Sequence, residues 1–224
     1  MPAFAGIFFA LSPQHHRPIT HRGAMNFALR FLLKPEATMA VNVLQLIDRE
    51  IGIEGDYVNH PSDRGGPTRW GCTEDTARAY GYTGDMKVFP RPLAQEIFRK
   101  RYYEGIGLPL IADLVPTLTA ELLDISINMG TSVPGTYLQR LLNMMNRRQR
   151  DYRDMLVDGR IGPMTVNALT SFLKVRGAAG ETVLIKGVEI LKGSKYVALT
   201  EKDESQEDFI FGWLANRISL GAAA

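Results

Sequence analysis

The chain has 224 residues, a mass of 24.9 kDa and a net charge of +2, with 45% hydrophobic and 22% charged residues. That usage excludes disordered, collagen-like and coiled-coil chains. The single cysteine, Cys72, excludes an internal disulfide framework and a multi-cysteine zinc site. Charge is unevenly spread: +3 over residues 1–38, −4 over 39–130 and +3 over 131–224. An acidic middle is a poor seat for a polyanion, so no nucleic-acid partner is expected.

The most apolar run, residues 3–11 (AFAGIFFAL), is far shorter than the ~20 residues of a spanning helix, and no basic segment precedes it. No stable membrane insertion is expected. Met25 and Met39 offer alternative starts, and residues 1–40 read as a loosely ordered N-terminal extension. His15, His16 and His21 lie there without an acidic or cysteine partner nearby, so no metal is expected.

From Met39 the pattern becomes helical. Val41, Leu44, Ile47 and Ile51 share one face, and Gly52 is the expected stop. Residues 54–71 are rich in glycine and proline and read as an irregular loop or short twisted hairpin. Thr73, followed by Glu74 and Asp75, is a helix start. Pro90 and Pro92 open another helix, ending near Gly105. Thr117–Met129 is apolar almost all round, which predicts a buried helix. Further helices are expected over 133–146, from Pro163, over 181–193 and over 205–218, with Trp213 in the core. The fold class that follows is mainly α: a helical bundle carrying one small Gly-rich loop or β-hairpin.

That loop holds the chemistry-bearing residues. Glu54 follows a helix end, whose partial negative charge resists ionisation of a carboxyl. Apolar neighbours such as Ile53 or Tyr57 would raise its pKa further. A carboxyl kept protonated near neutral pH suits a general acid. Asp63 lies nine positions on, and Gly65-Gly66-Pro67 bends the chain back past Thr68 towards Thr73. Two carboxylates flanking a glycosidic bond are the usual equipment for sugar hydrolysis. On spacing alone, a capping carboxylate and a surface turn account for these residues better than a catalytic pair does.

Residues 54–73, EGDYVNHPSDRGGPTRWGCT, resemble the signature of the glycoside hydrolase family 108 muramidases, E-G-G-Y-x-N-x-P-x-D-x-G-G-x-T followed by x-x-G-hydrophobic-Thr/Ser. Asp56 stands where the family has glycine, and Cys72 replaces an aliphatic residue. The likeness continues through Asp124-Ile-Ser-Ile-Asn128-Met-Gly130. Leu138-Gln139 and Asp158-Gly-Arg-Ile-Gly-Pro163-x-Thr165 are similar to an associated peptidoglycan-binding region, and Phe211-Gly-Trp213-Leu-x-x-Arg217 to its closing motif.

The resemblance implies an α+β lysozyme-like fold, with a catalytic region over 41–130 and a helical peptidoglycan-binding region over 131–224. It implies cleavage of the β-1,4 bond from N-acetylmuramic acid to N-acetylglucosamine, without a cofactor, by a monomer. Many relatives are phage endolysins, which wait in the host cytoplasm and act on periplasmic peptidoglycan after the inner membrane opens. The rivals are a lytic transglycosylase and a non-hydrolytic wall-binding or secretion-assisting protein.

Glu54 aligns with the family's catalytic glutamate. Asp63 is expected to stabilise developing positive charge or, with Thr68 or Thr73, to position a water. Four residues separate Asp63 from Thr68 and nine separate it from Thr73, and the spacing does not choose between them. Tyr57 and Asn59 are expected in the sugar cleft, by stacking and by bonding an N-acetyl group. Asn128 is read either as a sugar contact or as an amide fixing a helix end. Tyr103, beside Tyr102, is read as facing the cleft or as helix surface. Arg140, Arg147, Arg148, Arg150 and Arg153 read as a solvated face paired with Asp151 and Asp154.

Overall fold

The computed structural model describes residues 43–53, 57–59 and 66–219. The N-terminal extension read over 1–40 lies outside the described residues, as do Glu54 and Asp63. Helix α1 spans Val43–Ile53. It buries Ile47 and Ile51 completely and packs Val43 and Leu46 against the core, while Leu44 is exposed. Ile47 and Ile51 are thus inward as expected, Val43 and Leu46 take the inward place expected of Leu44, and the helix runs through Gly52 instead of stopping there.

A two-residue hairpin follows, β1 (Thr68–Arg69) paired with β2 (Cys72–Thr73). Helix α2 (Glu74–Ala79) starts where expected: the Thr73 hydroxyl accepts from the Thr76 amide, and two acids sit in the first turn. Helix α3 (Arg91–Phe98) continues into a π-helical turn, Arg99–Glu104. Helix α4 (Pro116–Met129) is the central element, with Leu118, Leu122 and Ile125 fully buried. Against it pack α5 (Val133–Met145) and α7 (Ala179–Lys202); α6 (Pro163–Arg176) packs on α5 and α7, and α8 (Glu207–Arg217) on α7. One hydrophobic core runs from Ile47 to Val188, so α1–α4 and α5–α7 share a single interior. Among the described residues no helix is long and apolar enough to cross a membrane.

Three departures from the sequence pattern have physical causes. Helix α7 continues nine residues past 193, because Tyr196 beyond that point is buried and stacks on Trp213 of α8. Within it Gly187 admits Leu141; a Cβ there would sit 2.7 Å from Leu141 Cδ2. Trp213 lies outside the main core, half-buried, stacked on Tyr196 at 4.9 Å and on Phe209 at 5.9 Å. Helix α5 ends in a left-handed turn, with φ of 55°, 62° and 63° at Arg147, Arg148 and Gln149. Left-handed backbone costs roughly 1–2 kcal/mol per residue. Buried Asn146 opposes that cost: its Oδ1 accepts from the Gln149 amide and its Nδ2 donates to Asp154. Arg147 pairs with Asp151 across the same turn, in line with the solvated-face reading.

Gln139 joins the two parts of the motif it shares with residues 158–165. Its Nε2 donates to Asp158, to the Arg160 carbonyl and to Thr165, and its Oε1 accepts from the Gly159 amide. The Asp158–Arg160 turn therefore lies against α5 at Gly135, where a Cβ would stand 2.1 Å from the Gly159 carbonyl oxygen.

The deepest polar feature lies between α4 and α7. The Lys192 ammonium, 3% exposed, meets Glu121, Asp124 at 3.4 Å and Glu189 at 2.9 Å. Arg217 approaches Asp124 at 3.7 Å, and the Ser219 amide donates to Glu189. Three carboxylates face two cations, so charge balances when one carboxyl keeps its proton. Burial and a hydrogen bond shared with Glu189 raise Glu121 to about 8, against the pull of Lys192. Glu189 is held below the usual range despite its burial, by hydrogen bonds from Glu121 and Lys192. The carboxylates of Glu121 and Asp124 raise Lys192 despite its burial.

Because Glu121 binds its proton more tightly folded than unfolded, its contribution is full below about pH 4.5 and is lost as pH rises through about 8. Glu121→Gln, a mimic of the protonated form, is predicted to remove that decline. Denaturant melts at pH 5.5 and 8.5 check it: wild type loses more stability between them than the variant does. Lys192→Ala strands buried carboxylates and is predicted to cost about 3–5 kcal/mol at pH 8.5.

Candidate active site

The hairpin is built on a tight two-residue turn. Trp70 and Gly71 have φ of 54° and 69°, the left-handed pair that a type I′ turn requires. Gly71 takes this at little cost, whereas a tryptophan there stores strain of order 1–3 kcal/mol. The indole offsets it: Nε1 donates to the Phe89 carbonyl at 3.0 Å, and the guanidiniums of Arg69 and Arg91 stand 5.2 and 5.5 Å from the ring. Nothing in the local sequence pattern marks Trp70 as a site residue beyond a bulky side chain before glycine in a two-residue turn.

Val58 adds a third strand segment. Its amide donates to the Thr68 carbonyl and the Thr68 amide to its own, both at 2.8 Å. Thr68 also faces Thr73 across the hairpin. Directly opposed residues share a face, so the two threonines stand side by side, with Tyr57 and Asn59 on the opposite face of the ladder. The hydroxyls differ in commitment. That of Thr73 is buried, donates to Thr76 Oγ1 at 3.0 Å and accepts from the Thr76 amide. That of Thr68, half-buried, donates, among the described residues, to the Gly66 carbonyl of its own turn. Tyr57 is half-buried against the core with Lys87 Nζ 5.9 Å from its ring, and Asn59 is exposed. Cys72, beside Thr73, is no nucleophile: burial pushes its thiol up to about 12, against Arg101.

Arg91 ties this hairpin to α1. Its guanidinium pairs with Asp48 at 3.0 Å and covers the Trp70 ring, while Gln95 Nε2 donates to the same Asp48 carboxylate at 2.5 Å. The helix whose last residue, Ile53, immediately precedes Glu54 is thus fastened to the hairpin that follows Asp63. The structure brings Tyr57, Asn59, Thr68 and Thr73 together in one ladder. Tyr103 and Asn128 sit instead on the π-helical turn and on α4, which pack against each other.

Residues 47–130 match the profile of the family described as Glycosyl hydrolase 108. They are a family 108 domain, and the protein is a glycoside hydrolase. Residues 133–218 match the family described as "Predicted Peptidoglycan domain". The fold is similar to the solved structure of Brucella abortus SagA, with a TM-score of 0.56 and 22% identity, over 79% of this chain and 89% of that one. No curated protein matches.

Within the family 108 domain, Asn128 spends its amide nitrogen locally. Nδ2 donates to the Asp124 carbonyl and carboxylate, both at 2.9 Å, which fixes the end of α4. Tyr103 is half-buried, and burial followed by the charges of Asp113 and Glu104 raises its phenol above the ordinary range. Among the described residues no group of His, Cys, Asp and Glu could hold a metal ion.

Arg91→Ala removes an exposed ion pair worth under about 1 kcal/mol, so Tm is predicted to move little. It also frees the hairpin from α1. The expected result is a kcat at least tenfold lower with KM within about twofold, read from initial rates on solubilised wall glycan. Unchanged kcat would remove the clamp role.

Proposed function

We propose that the protein is an N-acetylmuramidase that hydrolyses the β-1,4 bond between N-acetylmuramic acid and N-acetylglucosamine, with Glu54 as general acid. The observation that carries this reading is the fastening of α1 to the hairpin through Arg91. It ties the helix that leads in sequence to Glu54 to the one strand ladder among the described residues. The family signature supplies the identity of the acid.

On this reading Asp63 stabilises positive charge at the anomeric carbon or orients a water with a threonine. Thr68 is the better candidate, because the Thr73 hydroxyl is consumed in capping α2. Tyr57 and Asn59, on the ladder's other face, reach the sugar from the rim of the cleft that Thr68 faces. Tyr103 presents its ring, and Asn128 its remaining amide oxygen, from the helical side. Residues 41–130 form the catalytic region, and 131–224 hold the wall polymer while covering α4. A host-lysis role, with the enzyme held in the host cytoplasm before acting on periplasmic peptidoglycan, draws its support from the sequence likeness to phage endolysins.

Glu54→Gln is predicted to leave the thermal melt within a few degrees of wild type and to lower wall turnover by at least a thousandfold. A folded variant with normal turnover would sink the assignment. A chain ending at residue 131 is predicted to be insoluble, because α4 would lose its cover from α5 and α7; a soluble fragment with a cooperative melt would contradict the shared core.

A further inference from the structure

Outside the hairpin region, one groove in the C-terminal half combines an unspent cation with unspent hydrogen-bonding groups. It has a volume of about 240 Å³ and runs between the 152–155 segment and the N-terminal half of α6. Met155 and the exposed Met164 give it apolar walls, beside the ring of Tyr152. Asn167 and Ser171, one helical turn apart on α6, are among the residues that line it. Arg153 stands at its edge.

The walls are held rigidly. The Asn143 side chain takes both backbone groups of Met155, donating to its carbonyl at 2.8 Å and accepting from its amide at 3.0 Å. The Tyr152 hydroxyl donates to the Leu142 carbonyl at 2.8 Å. Of the neighbouring charges, Arg147 pairs with Asp151, and the Asp154 carboxylate accepts from the Asn146 amide. Arg153 is left with no ion pair among the described residues, and Asn167 and Ser171 carry no hydrogen bond there. Both amide and hydroxyl can give and accept bonds, as a peptide backbone requires.

We propose that this groove binds the stem peptide of peptidoglycan, with Arg153 engaging a free peptide carboxylate and Asn167 and Ser171 its backbone. The proposal rests on the wall polymer being the substrate. Charge complementarity decides between the polymer's two components. Its glycan is neutral once the lactyl groups are amidated to peptide, and would leave Arg153 unused. Its peptides carry the carboxylates, and their alanine methyls fit methionine walls. A guanidinium bonds carboxylate oxygens in a fork that fixes orientation as well as affinity.

The test uses the full chain and a synthetic stem tetrapeptide, L-Ala-γ-D-Glu-meso-diaminopimelate-D-Ala, followed by amide-shift mapping in solution NMR. The expected shifts fall on residues 152–155 and 164–171. Amidating the peptide carboxylates, or Arg153→Ala, is predicted to weaken binding at least tenfold; Met164→Glu, which places a like charge in the groove, does the same. Hydrolysis of peptide-free wall glycan stays at the wild-type rate in both variants. Binding indifferent to Arg153 and to amidation, or shifts that map elsewhere, would overturn the proposal. So would a peptide-free glycan oligosaccharide filling the groove with equal affinity. Absence of glycan hydrolysis by wild type would instead count against the muramidase reading and leave the peptide-binding result standing.

Discussion

The Lys192 ammonium, buried among Glu121, Asp124 and Glu189, is the constraint on which the rest of the architecture depends. Its partners come from α4 in the family 108 segment and from α7 in the segment that follows. Burying so much charge is expensive, and an apolar substitute would often be more stable. What the ionic cluster supplies is register: a helix sliding by one turn would leave carboxylates facing hydrocarbon. Arg217 and the Ser219 amide bring the C-terminal segment to the same point. Catalytic and wall-binding segments therefore fold around a single α4 and share one interior.

That sharing matters for an enzyme acting on a solid polymer. The hairpin is fastened to α1 through Asp48, Arg91 and Trp70, and α1 is fastened to the core by Ile47 and Ile51. The Asp158–Arg160 turn is fastened to α5 through Gln139, and a backbone bond from the Ile161 amide to the Ile106 carbonyl joins the two segments. A wall strand held by the C-terminal segment would thus be presented to the hairpin at a fixed distance. Preorganisation of this kind lowers the entropic cost of bringing substrate and acid together.

Local signals were legible in the sequence. The Thr73 cap, the proline-opened helices at Pro90 and Pro163 and the all-round apolar α4 follow from short-range chemistry, and each appears where expected. Non-local determinants were not. Gly52 reads as a stop and the last turns of α7 past residue 193 carry no helix signal, yet helices run through both, α7 because Tyr196 is buried against Trp213 of α8. Trp70 was invisible because its importance comes from Phe89 and Arg91, some twenty residues away. The Lys192 cluster joins residues about seventy positions apart, which no periodicity reports. For the site, the family signature named Glu54 and Asp63, and the structure adds the clamp that holds the elements flanking them and distinguishes a Thr68 hydroxyl bonded only within its own turn, among the described residues, from a Thr73 one that caps α2.

The central claim is the bond cleaved and the way it is cleaved. Mass spectrometry of the fragments released from purified peptidoglycan reads both at once. The account predicts muropeptides ending in reducing N-acetylmuramic acid. Fragments ending in 1,6-anhydro-N-acetylmuramic acid would make the protein a lytic transglycosylase, and an intact polymer that retains the protein would leave a wall-binding protein on a hydrolase fold.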